Sequence, residues 1–132
     1  MTTLPTEMTL LGWSVVLLIV QVFIQAQTST ADRGLDWNAG PRDGEQKPAG
    51  MVAGRAARAL SNFQETYPAF VALALALTVS GRGGGIGEIG AWTWFAARIV
   101  YLPLYLLGVP WLRSVAWFVS VIGLVLMLIR LL

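Results

Sequence analysis

The 132-residue chain has no cysteine and no histidine. Disulfides, zinc fingers, a cysteine nucleophile and most transition-metal centres need one or the other, so the chain is expected to hold no metal. Any thiol chemistry here must use a thiol that a substrate brings. Charge is scarce as well. Only 12% of the residues are Asp, Glu, Lys or Arg, about half of the roughly 25% that solvates an ordinary soluble domain. The formal net charge of +2 is too small and too dispersed for nucleic-acid recognition, which needs a basic stripe or patch. What is present instead is apolar: 56% of residues are hydrophobic, and the mean hydropathy is +0.67.

The apolar residues fall into runs that suit a bilayer. Residues 8–26 are 19 consecutive positions without a charge, and at about 1.5 Å per residue they nearly span a hydrocarbon core of roughly 30 Å. A cleaved signal peptide would open on a basic segment, but Thr2, Thr3, Pro5 and Glu7 precede this run, so it reads as a membrane helix. Residues 27–54 are polar and carry Asp32, Arg33, Asp36, Arg42, Asp43, Glu45 and Lys47 with Pro41 and Pro48. They are expected to form a loop outside the membrane, with Trp37 either anchored on the bundle or solvated.

A second helix is expected over 55–79. Its clean apolar part, residues 67–79, is 13 residues long, too short to span. The helix must therefore carry polar residues of 55–66 into the membrane or its interface. Residues 80–90 read as a glycine-rich turn. Gly85, Gly87 and Gly90 satisfy G-x-G-x-x-G, but no strand precedes them, and the nucleotide reading fails on that context. The third helix is expected over 91–107, with Arg98 inside it. Gly108, Val109 and Pro110 then turn the chain into a fourth helix over 111–132, Pro110 being suited to a first helical position. Trp92, Trp94 and Trp111 lie near the expected ends of these spans, where interfacial aromatic anchors belong. Short second and third connections imply an all-α integral membrane protein, a four-transmembrane-helix bundle running up-down-up-down. Arg33, Arg42, Lys47, Arg55, Arg58 and Arg113 fall on one side and Arg82 and Arg130 on the other, which places the 27–54 loop in the cytoplasm and both termini opposite.

Within the second helix, Arg55, Arg58, Asn62 and Glu65 are spaced 3, 4 and 3 residues apart, so they share one helical face. Arg98, Tyr101 and Tyr105 repeat the pattern in the third helix. Ionisable groups inside spans cost on the order of 3 kcal/mol each on insertion scales and are read first as functional. Pairing of Glu65 with Arg58 or Arg98 as interhelical glue is the alternative, and Arg55 is placed to snorkel to lipid head groups. Together the stripe offers arginines for carboxylates, a glutamate for an ammonium group, an amide and phenols. A peptide-like ligand with two carboxylates and one amine fits that inventory.

Two strings carry a resemblance. Arg58-Ala-Leu-Ser-Asn62-Phe-Gln-Glu65-Thr-Tyr67-Pro68, followed by an Ala- and Leu-rich span, resembles the second-helix signature of the MAPEG family, the membrane-associated proteins of eicosanoid and glutathione metabolism. Arg98-x-x-Tyr101-x-x-x-Tyr105, then a Gly-x-Pro turn and Arg113-Ser114, resembles its third and fourth helices. The resemblance implies a four-helix subunit, a homotrimer, and glutathione bound as co-substrate between subunits at the cytoplasmic side. It makes Arg58, Asn62, Glu65, Arg98 and Tyr101 glutathione-binding residues, sets Tyr105 among the helix-three positions that face the tripeptide, and puts Arg113 near the thiol; Arg113 is the expected thiol activator, with Tyr105 a hydrogen-bond donor or a spectator. Catalytic eukaryotic members carry an arginine at the end of helix one. Here that stretch reads Gln25-Ala26-Gln27-Thr28, with Arg33 the first basic residue, and the long loop resembles bacterial members, which points to a bacterial inner membrane. The function expected is that of a glutathione-dependent transferase or peroxidase acting on a lipophilic small molecule delivered from the bilayer. Two other readings stay open: a non-catalytic member that binds an amphiphile or serves a structural role, and a small proton-coupled transporter with Glu65 as the proton carrier.

Overall fold

A computed structural model of the protein describes residues 3–34, 40–41 and 50–132. Among these residues the chain forms four helices and no strand: α1 (Thr6–Arg33), α2 (Met51–Val79), α3 (Gly85–Leu106) and α4 (Pro110–Leu131). The helices α1 and α2 pack as one pair and α3 and α4 as another, with α2 touching both members of the second pair. By length and composition α1 and α4 are apolar enough to cross a membrane. Their outer faces, Val16, Ile19, Val20 and Phe23 on α1 and Phe118, Ile122, Val125 and Ile129 on α4, are exposed aliphatic and aromatic surface.

Helix α1 is 28 residues long, about 42 Å at 1.5 Å per residue, and continues past the charge-free run. Thr28 turns its hydroxyl back to the Ile24 carbonyl at 2.8 Å, so the polar residues here continue the helix instead of starting a loop. Arg33 consequently stands in the last turn of α1, where a cation complements the helix dipole, and not out in a loop as the sequence suggested. One residue earlier, Asp32 accepts a hydrogen bond from the Gly50 amide at 2.6 Å. That contact ties the end of α1 to the residue that caps α2. The anchoring role considered for Trp37 falls outside the described residues, as do the charges at Arg42, Asp43, Glu45 and Lys47.

The glycine-rich turn is also shorter than expected. Helix α3 begins at Gly85, so Gly87 and Gly90 are helical. Their job is close packing. A Cβ on Gly90 would lie 2.5 Å from the Gly123 carbonyl oxygen, and one on Gly123 would lie 2.6 Å from the Gly90 oxygen and from the Trp94 amide nitrogen. The α3 and α4 backbones therefore touch, an approach that small residues allow between membrane helices. The early start of α3 moves Trp94 away from the helix end. It is fully buried in an aromatic core with Phe63, Tyr67 and Phe70, and its ring stacks on Phe70 at a centroid distance of 3.9 Å. Trp94 is a core residue and not an interfacial anchor, whereas Trp92 and Trp111 are exposed.

Candidate functional site

The polar residues gather where α2 begins and α3 ends. Helical spacing puts Arg58, Asn62 and Glu65 along one side of α2, and the Leu107–Val109 turn brings the first turns of α4 back over the same level. Arg98 is the centre. It is 1% exposed, and its Nη1 donates to the Asn62 amide oxygen at 2.9 Å. Its guanidinium carbon lies 4.3 Å from the Tyr101 ring centroid and 5.4 Å from that of Phe63, close enough for cation–π attraction on both. Yet Nε and Nη2 of this same group are buried without any hydrogen-bond partner. An unsatisfied buried donor costs about 1–3 kcal/mol, and more when charged.

Beside Arg98, Tyr101 is buried and its ring lies 5.5 Å from that of Tyr105. The Tyr105 hydroxyl accepts a hydrogen bond from Arg58 Nε at 3.2 Å, and the Arg113 guanidinium sits over the Tyr105 ring at 4.7 Å. An open cavity of about 300 Å³ lies among these groups, lined by Asn62, Tyr101, Tyr105, Arg113, Ser114 and Trp117. The structure thus brings Arg58, Asn62, Arg98, Tyr101, Tyr105 and Arg113 together from three helices. Glu65 stands apart. It is exposed on α2, and the two arginines weighed as its partners bind elsewhere, Arg58 to Tyr105 and Arg98 to Asn62. Arg55 also differs from expectation. Its Nη1 donates to the Leu106 carbonyl at 3.3 Å, where a cation meets the negative end of α3.

Ser114, part of the Arg113-Ser114 pair noted in the sequence, lines the cavity together with Trp117, which was not singled out there. Trp117 is four residues beyond Arg113, one turn along the same face, so the spacing was available as a signal. Ser114 directs its hydroxyl to the Pro110 carbonyl at 3.1 Å. Chemically the cavity carries one guanidinium at its wall, Arg113; Arg98 is buried behind the lining residues Asn62 and Tyr101, and Arg58 is bonded to Tyr105. Arginines in this number suit carboxylates, which accept paired N–H bonds.

Four helices, two of them apolar enough to cross a membrane, with a polar cavity at one end of the bundle, have the outline of a membrane protein with polar groups gathered at one end. The chain belongs to the MAPEG family, whose model matches residues 10–132. No curated protein and no solved structure matches the chain. Family membership makes it a membrane protein, and members of the family generally use glutathione.

Proposed function

We propose that the chain crosses the bilayer with all four helices, assembles as a homotrimer, and binds glutathione in the cavity lined by Asn62, Tyr101, Tyr105 and Arg113, reaching the buried Arg98 beside it, to attack a lipophilic electrophile or reduce a lipophilic peroxide. The observation that carries this is the buried, half-satisfied guanidinium of Arg98. A membrane protein keeps such a group only where something else completes it, and an anionic carboxylate opposite Nε and Nη2 would do so. Asn62 and Tyr101 hold that guanidinium in place, Arg58 offers a second cation, and Glu65 is the one carboxylate on this face for an ammonium group. Glu65 is exposed within the single chain. A charged group at that level needs cover, which a neighbouring copy in a trimer would supply.

The chemistry required of the site is thiol activation. A free thiol has a pKa of about 8.5, and bringing it near 7 takes roughly 2 kcal/mol of preferential thiolate stabilisation. The Arg113 guanidinium at the cavity wall is placed for that, with the Tyr105 hydroxyl as a hydrogen-bond donor once Arg58 turns to ligand. In conjugation the thiolate sulfur forms the new bond to carbon, and the displaced electron pair takes up a proton. Farther along the bundle, an apolar cleft of about 320 Å³ between α2 and α4, with Ala69, Ala72, Val121 and Leu124 in its walls, offers a lipophilic partner a place to leave the bilayer. Calorimetry of detergent-solubilised protein with glutathione tests the proposal. Saturable binding that Arg98→Leu abolishes is the expected result, and absence of binding by the wild type overturns it. A non-catalytic role is favoured by one observation, the engagement of Arg113 with the Tyr105 ring. Glutathione binding without any thiolate absorbance below pH 8 would establish that reading.

A further inference from the structure

The α3–α4 pair has a second concave face, turned away from the arginine cavity. The cavity uses Tyr101 and Tyr105 of α3 with Arg113, Ser114 and Trp117 of α4. The other face uses Ala96, Val100 and Leu104 of α3 with Leu112, Val115 and Val119 of α4, and encloses about 490 Å³. Its shape follows from the packing. The two backbones meet at Gly90 and Gly123, and the apolar wedge lies between that contact and the Leu107–Val109 turn. The walls are aliphatic except at Thr93, and the Thr93 hydroxyl is spent on the Ile89 carbonyl at 2.7 Å. From Thr93 to Leu104 the wedge runs 11 residues along α3, about 16 Å of helix.

A fixed cation stands at the turn that closes this wedge. Arg55 reaches across from α2, donates to the Leu106 carbonyl and lies flat on Gly108, where a Cβ would come within 2.6 Å of the guanidinium. Gly108 has φ +74°, so both the turn and the contact call for glycine there. Arg55 remains partly exposed. Its remaining N–H groups have no carboxylate among the described residues. Next to the turn Trp111 is exposed, as an indole at a membrane interface is.

We infer that this wedge is a binding site for one anionic phospholipid, its phosphate on Arg55 and an acyl chain between α3 and α4. The chain alone gains little by leaving the bilayer for the wedge, because both are hydrocarbon; shape seats it. Selectivity comes from the head. At this end Arg58 and Arg113 stand against the carboxylates of Asp32 and Glu65, so the preference rests on Arg55 itself, which holds a head group of net negative charge better than a zwitterionic one. A single basic residue near a membrane surface favours an anionic lipid about fivefold. The lipid would brace the turn that leads into α4 one turn before Arg113, so the bilayer's composition would bear on the cavity behind it.

The test is native mass spectrometry of the delipidated full-length protein in detergent, with equal amounts of phosphatidylglycerol and phosphatidylcholine of identical chains. It uses no glutathione, so its outcome is independent of the proposal for the arginine cavity. Wild type is expected to retain phosphatidylglycerol about fivefold over phosphatidylcholine. Arg55→Gln is expected to bring the two lipids to parity, and Arg55→Lys to restore the preference. Ala96→Phe and Val100→Phe, at exposed positions that do not support the fold, are expected to lower retention of both lipids. Equal retention by the wild type overturns the inference, as does a preference that survives Arg55→Gln. Should the Phe variants change the mass of the assembly while lipid retention stays as it was, the face is an interface between copies and the lipid site is wrong.

Discussion

The two ends of this bundle treat polar groups in opposite ways. Where α1 and α3 begin, side chains and backbone close on one another. The buried carboxylate of Glu7 accepts the Gly84 amide at 2.8 Å, the Thr6 hydroxyl donates to Glu88 at 3.1 Å, Arg130 Nε donates to the Arg82 carbonyl at 2.9 Å, and Arg82 donates to the Leu131 carbonyl. At the far end, where α3 finishes, Arg98 is buried with two nitrogens unpartnered and Glu65 is exposed. Polar groups that satisfy one another hold a fold, whereas polar groups kept buried and incomplete cost stability and are retained for a ligand. The first end is a clasp and the second, on the proposed function, a site, although both are made of arginine, glutamate and helix termini.

Substitutions can break that contrast if it is false. The largest effect is expected in the closed half at Gly123. Gly123→Val places a branched side chain against the Gly90 and Trp94 backbones and should cost about 3 kcal/mol or more, seen as a lower thermal midpoint or loss of the monodisperse peak in detergent. Its counterpart in the open half is mild. A Cβ on Gly54 meets only the tip of the Arg58 side chain at 3.2 Å. Gly54→Ala should raise stability by roughly 0.5–1 kcal/mol, as Ala does for Gly inside a helix.

Next comes Glu7. Glu7→Leu leaves the Gly84 amide without its acceptor and should lower stability by about 1–3 kcal/mol, while Glu7→Gln, which keeps an acceptor, should lose less. Neither should alter glutathione affinity in calorimetry. A change of affinity would mean that the two ends are coupled and the clasp is part of the site. Arg98→Leu should act with the opposite sign. Replacing an unsatisfied buried charge by hydrocarbon should leave the thermal midpoint unchanged or raise it by about 1 kcal/mol of stability, even with the cation–π contact to Tyr101 lost. The stabilisation that saturating glutathione gives the wild type, about 2.7 kcal/mol at a hundredfold excess over Kd, should vanish. A strongly destabilised Arg98→Leu protein would show that Arg98 is structural glue.

The same contrast explains what the sequence could and could not disclose. The face shared by Arg58, Asn62 and Glu65 was legible because helical periodicity alone sets it. The bond between Asn62 and Arg98 was not, since it joins residues 36 apart across two helices whose rotation is decided by packing. Counting charge-free residues placed the end of α1 too early. It finds the part of a helix that suits hydrocarbon, and the helix itself stops only at Arg33. Glycines were taken as turn formers, their commonest use. Gly87 and Gly90 are instead thin places in a helix wall, and with α3 started six residues early Trp94 moves from the interface to the core. Glu7 was read only as a non-basic residue ahead of the apolar run, and its buried role was not. Its burial depends on Gly83 and Gly84, more than seventy positions away.

The smallest expected effect on stability, and the one that separates binding from activation, belongs to Arg113. It is partly buried, and its one described contact is the Tyr105 ring, worth about 0.5–1 kcal/mol at such a site. Arg113→Ala should therefore shift the thermal midpoint little, and on the proposed function it should also weaken glutathione binding little, because Arg98, Arg58 and Glu65 hold the ligand whether its thiol is protonated or not. The thiolate is different. A cation near the sulfur stabilises S⁻ and does almost nothing for S–H, so removing it should return the thiol toward its free value of about 8.5. The rate with a model electrophile should fall by more than the affinity, and the apparent pKa of the pH–rate profile should rise, so that the deficit is largest near pH 7 and shrinks toward pH 9. Arg58→Ala should instead raise KM, with the profile's pKa unmoved. If Arg113→Ala lowers affinity and rate in equal proportion at every pH, Arg113 is one more ligand-holding arginine, and the site binds glutathione without activating it.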